Sequence, residues 1–240
     1  MKLKFIVDKD KDKLFIKAGS KEALSYIDEQ YKTSSKFIKI AKDLYQKSWD
    51  EIDKDFSEYI EKTTGYKWFY PEYKCVVSVI FPGLPAWWDI PLIFRHWKEN
   101  PYFMRRITAH ELIMSHYIQI YKKYYKHEGL TDGQLWALAE IAAWALTSLT
   151  PEVKKFWPWN TKYYTDHNYP WIVKIQNKMK QIFLERKDFD EYIQEGIKII
   201  KKYPHMSPLH KAYSLGNMLS RGVPKYQIRG ESEKEFKYMR

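Results

Sequence analysis

Two apolar stretches decide how this chain folds: Thr108-Ala-His-Glu-Leu-Ile-Met-Ser-His-Tyr117 and Leu135-Trp-Ala-Leu-Ala-Glu-Ile-Ala-Ala-Trp-Ala-Leu146. Neither has a wide polar face, so each reads as a helix enclosed by the rest of the protein. Yet the first carries His110 and Glu111, and the second carries Glu140. An ionised carboxylate costs several kcal/mol or more to bury unless a cation or hydrogen-bond donors meet it. The two helices are therefore expected to cross at the centre of the domain, with partners gathered around these side chains. A metal ion is one such partner. A core pair is another, with Arg105 or Arg106 beside Glu111 and an arginine or tyrosine beside Glu140.

Working outward, Asn100-Pro101 supplies an N-cap and a first-turn proline for the His110 helix, which Gly129 ends. Thr131 or Asp132 starts the Glu140 helix, and Thr150-Pro151 stops it. Upstream, the β-branched run Cys75–Phe81 predicts a central strand, with a short strand at Leu92–Phe94. Either could offer an edge to an extended peptide. Lys2–Val7 and Lys13–Lys17 alternate around an Asp-Lys-Asp-Lys-Asp turn and read as a hairpin at the sheet edge.

From Ser20 to Thr64 the helical spacing of Phe37, Ile40, Ala41 and Leu44, then of Ile52, Phe56, Tyr59 and Ile60, predicts two or three amphipathic helices closed by Gly65. Further helices are expected at about Trp171–Leu184 and Phe189–Lys202. The fold class is α+β, mainly α, with a small sheet. A single domain is expected over residues 1–220, followed by a mobile polar tail over 221–240.

At 240 residues with 45% hydrophobic and 18% aromatic content, the chain is too apolar for disorder, and no apolar run is long enough to cross a bilayer. The net charge of +11 comes mostly from scattered lysines, which implies only weak, non-specific attraction to nucleic acid. No zinc-finger or helix-turn-helix pattern is present. One cysteine, Cys75, excludes an internal disulfide and any cysteine-based zinc cluster. The basic start Met1-Lys-Leu-Lys lacks an apolar secretory core, so a cytoplasmic protein without membrane association is expected. No Gly-x-Ser-x-Gly elbow exists, and Cys75 falls in the strand, which leaves serine or cysteine nucleophiles without support.

In a His-Glu-x-x-His helix, two imidazoles one turn apart hold a metal while the adjacent glutamate takes a proton from water. Here the fourth residue after His110 is Met114, and the next histidine, His116, is six positions on. At about 100° per residue it points roughly 240° away from His110 on a straight helix. A π-type insertion near Met114-Ser115 would turn it back.

The order of strand Cys75–Phe81, helix with Ala109-His-Glu-Leu and second helix with Leu138-Ala-Glu-Ile-Ala resembles the zincin-type metallopeptidases, over roughly Lys74 to Thr150. The likeness is to the gluzincin branch in particular, with a variant His-Glu-x4-His motif. It implies a zinc-dependent hydrolase acting on a peptide or protein. His110 and Glu140 would be metal ligands, and Glu111 the general base. The missing ligand would be His116, or His167 from the aromatic loop between Trp157 and Pro170. His167 could instead orient substrate or stabilise an oxyanion, with Tyr163, Tyr164 and Tyr169 as other candidates. Two other function classes stay open: a metal-free pseudoenzyme or interaction module on the same frame, and a basic, aromatic nucleic-acid-associated protein.

Overall fold

A computed structural model describes residues 1–14, 16, 21–81, 90–158 and 170–204. Its sheet has three parallel strands in the order β1 (Lys2–Ile6), β2 (Glu72–Ser78) and β3 (Leu92–His96). Phe5 aligns with Cys75, and Cys75 with Ile93. The Cys75 strand is thus central, and both of its edges are occupied by neighbouring strands, so among the described residues β3 is the one of the two with an unpaired edge. It also begins and ends three residues earlier than the sequence suggests. The Ser78 hydroxyl accepts from the Ile80 and Phe81 amides, 3.0 and 2.7 Å, and bends the chain out of the sheet.

The expected hairpin does not form. Lys9–Leu14 is a short helix, α1, begun where Asp8 Oδ1 accepts from the Lys11 amide at 3.0 Å. β1 pairs instead with a strand some seventy residues away. Its outer edge is closed by side chains: Gln46 accepts from the Phe5 amide at 2.8 Å and donates to the Leu3 carbonyl at 3.2 Å.

Three helices separate β1 from β2 beyond α1: α2 (Lys21–Thr33), α3 (Ser35–Asp50) and α4 (Asp53–Thr64). Gly65 ends α4 in the left-handed region, φ +76°, where side chains with a Cβ are strained. In α3 the buried face is Ile38, Ala41, Tyr45 and Trp49, while Phe37, Ile40 and Leu44 of the expected inner stripe stand exposed.

After β3, Asn100 Oδ1 accepts from the Tyr102 amide at 2.9 Å and α5 (Phe103–Ile120) begins. A π-helical turn, Tyr121–Tyr125, follows it, and Gly129 ends the segment at φ +66°. Thr131 and Gln134 form a reciprocal cap on α6 (Asp132–Ser148), with the Thr131 amide donating to Gln134 Oε1 at 3.0 Å. α5 and α6 make the most extensive helix-to-helix contact in the protein. The alanines at 137, 139, 142, 143 and 145 are fully buried, which lets neighbouring elements approach α6 closely. α7 (Pro170–Glu185) and α8 (Phe189–Ile200) pack beside α6 and complete the described fold. No described helix is long and apolar enough to cross a membrane.

Candidate functional site

α5 is buried on nearly every side, so successive residues His110 and Glu111 both lie in the interior although they point about 100° apart. Glu140 projects from α6 toward them. His110 Nε2 is 3.0 Å from Glu140 Oε2, and the two side chains keep 10% and 12% of their surface exposed. Burial alone would pull the His110 imidazole toward the neutral form. Attraction to the Glu140 carboxylate and their hydrogen bond outweigh it and hold His110 above the usual histidine range. The contact is thus a charged pair at and below ordinary histidine pH, and it joins residues thirty positions apart.

Among the described residues, Glu111 forms no ion pair. Its Oε2 is buried without a hydrogen-bond partner. Burial, reinforced by the Glu140 and Glu99 charges, pushes its carboxyl up to about 8, with His110 and Arg95 opposing. Glu111 therefore carries a proton at neutral pH and exchanges it close to that pH, as a general acid or base requires. The expected core partners are engaged elsewhere: Arg105 with Glu51, Ser48 and the Phe156 carbonyl, and Arg106 with Ser148.

His116 does not join this cluster. α5 is regular through residue 120, and the π turn falls after His116 rather than at Met114-Ser115. The ring packs instead 4.6 Å from Trp68 and 5.6 Å from Phe69, centroid to centroid. Neither of its nitrogens has a hydrogen-bond partner, and burial pulls its pKa down to about 3, against weaker opposition from Glu61 and the Tyr66 backbone. A neutral imidazole on an aromatic wall replaces the expected ligand. His167, Tyr163, Tyr164 and Tyr169 lie outside the described residues.

Among the described residues, no three His, Cys, Asp or Glu side chains converge as a metal cage would require. His110 and Glu140 supply two donors of the kinds zinc takes, whereas a catalytic zinc uses three protein ligands and one open position. The described donor set is one short.

Two buried polar clusters were not anticipated from sequence. Arg95 pairs with Glu99 inside the protein, Nε to Oε2 at 3.0 Å, and Glu99 also accepts from the His96 amide at 3.1 Å. The signal was an arginine inside the apolar run Leu92-Ile-Phe-Arg-His with a glutamate four residues on. Asp12, fully buried, accepts from the Tyr31 hydroxyl at 2.9 Å and the Val79 amide at 3.0 Å, and ties α1 and α2 to the end of β2. Its place in a run of alternating charges concealed it.

Comparison of the whole chain with protein-family models, curated proteins and solved structures finds no match.

Proposed function

We propose that His110, Glu111 and Glu140 form the reaction centre of a zincin-like hydrolase, a peptidase, with His110 and Glu140 holding zinc and Glu111 handling the proton of the attacking water. The observation that carries this reading is the 3.0 Å approach of His110 Nε2 to Glu140 Oε2, with a protonatable Glu111 next to it in the chain. Imidazole and carboxylate are both donor types that zinc takes, and the two groups already meet.

When bound, zinc would polarise a carbonyl and lower the proton affinity of water. The chain's own residues do the rest. His110 and Glu140 fix the geometry from two rigid helices. Glu111 accepts or returns a proton near neutrality, because its buried carboxyl is held at about 8. His167, the sequence's other candidate for the third ligand, lies outside the described residues.

Elemental analysis of full-length protein purified without chelator tests the proposal. One zinc per chain is expected in the wild type and in His116→Ala, with loss in His110→Ala and Glu140→Ala. Glu111→Gln should keep the metal and lose peptide hydrolysis by about 100-fold or more. Absence of zinc from the wild type defeats the proposal.

The metal-free reading, a pseudoenzyme or interaction module on the same frame, has its own support. His110 and Glu140 already neutralise each other directly, and Met114 stands where a second ligand would be. It predicts a melting temperature that is indifferent to chelator.

A further inference from the structure

α3 carries apolar side chains on two faces. One packs into the core through Ile38, Ala41, Tyr45 and Trp49. The other presents Phe37, Ile40 and Leu44 to solvent, with 59%, 45% and 48% of their surface open. These three recur at i, i+3 and i+7 and so form one stripe along the helix. They expose on the order of 300 Å² of apolar surface, as much as the largest patch on a typical monomer, a size that is often functional. On the flank of the stripe away from the core, Lys36, Asp43 and Lys47 lie within a narrow sector of the helix, and all three are exposed.

We propose that this face of α3 is a self-complementary interface through which two copies of the chain associate about a two-fold axis beside Ile40. The register follows from the stripe and its flank together. When two α3 helices run antiparallel with Ile40 beside its counterpart, Phe37 of each copy meets Leu44 of the other. In the same register, Lys36 of each copy comes within one residue, about 1.5 Å along the axis, of Asp43 of the other, on the same side of the interface. A two-fold axis perpendicular to the helices keeps like flanks together, so both ion pairs form at once. Asp43 is 69% exposed in its side chain and, among the described residues, forms a salt bridge with its neighbour Lys42, so carboxylate surface remains for this contact. A parallel two-fold pairing would put the charged flanks on opposite sides of the interface, and an antiparallel slide of about three residues would set Lys36 against Lys47. With about 300 Å² of apolar surface on each copy, the contact falls below the standard interface size, so the dimer is a weak, concentration-dependent one.

Sedimentation equilibrium of the full-length chain, from about 5 to 500 µM, reads the association directly. The wild type is expected to show a reversible monomer–dimer equilibrium inside that range. Ile40→Glu, which places two carboxylates at the axis, should weaken dimerisation by about tenfold or more with unchanged melting temperature, since the side chain is surface-exposed. Lys36→Glu and Asp43→Lys should each weaken it several-fold, and the double swap should restore it. A wild type that stays monomeric throughout overturns the proposal. A dimer indifferent to Ile40→Glu, or a double swap that fails to rescue, overturns it equally.

Discussion

Replacing Asp12 by asparagine should remove a pH dependence that the wild type carries. Burial pushes the Asp12 carboxyl up from an ordinary 3.8 to about 6, with Asp8 adding to the shift and hydrogen bonds from Ser78, Val79 and Tyr31 opposing it. The folded state therefore holds this proton more tightly than the unfolded chain. The associated stability is fully present below about pH 3.8 and is lost as pH rises through about 6. Two pH units at about 1.4 kcal/mol each amount to roughly 3 kcal/mol. In Asp12→Asn, the amide oxygen can accept from Tyr31 and Val79 as Oδ2 does, while the NH₂ replaces an Oδ1 that has no partner and costs about 1–3 kcal/mol. The variant should thus be the less stable at pH 4 and close to the wild type at pH 7. Urea titrations at pH 4, 5, 6 and 7 measure both curves, and every other titrating group cancels in their difference. A difference that stays constant with pH, or that grows in favour of the wild type toward pH 7, would refute the reasoning.

Four other perturbations probe separate parts of the structure. Glu99→Gln removes the carboxylate that pairs with the buried Arg95 and should cost about 3–5 kcal/mol in urea unfolding. His116→Phe replaces an imidazole with no hydrogen bonds by a ring of similar shape on the Trp68 and Phe69 wall. Stability at pH 7 should change by less than about 1.5 kcal/mol. Because the folded-state His116 is held near 3, the wild type loses stability as pH falls below about 6.5, and the phenylalanine variant should lose less on acid titration. Gly196→Val should cost about 1–3 kcal/mol, since even a Cβ there would stand 3.0 Å from Met179 Cε and 3.2 Å from Leu138 Cδ2. Thr131→Ala removes the α6 cap and should lower the melting temperature by the equivalent of about 1 kcal/mol.

What the sequence made legible was local. The cap of α6, the closing glycines at 65 and 129, and the limits of α7 and α8 rest on residues within a few positions of one another, and the structure agrees with them, whereas α5 begins at Phe103, two residues after the expected Pro101. The convergence of His110 and Glu140 was legible for a different reason: charges inside wholly apolar helices must face something. The hairpin was misread because strand alternation states that a strand exists but not which strand it joins, and the partner of β1 lies beyond four helices. The inner face of α3 was misassigned because that helix has two apolar stripes, and periodicity alone does not choose between them. For His116, the helical phase gave the right direction. The widened turn that could have swung it back lies at Tyr121–Tyr125, after His116 instead of before it.

That widened turn separates two jobs along one continuous rod. Residues before it keep the pitch of α5 and stay in step with α6. Those after it are rotated so that the Tyr125 hydroxyl reaches Asp190 on α8, 2.5 Å away, and the Tyr121 hydroxyl receives the Leu130 amide at 2.8 Å. The wider pitch of these five residues thus acts as a gear change. The far end of the rod can be lengthened, shortened or re-aimed at α8 while the histidine and glutamate upstream keep their angular setting.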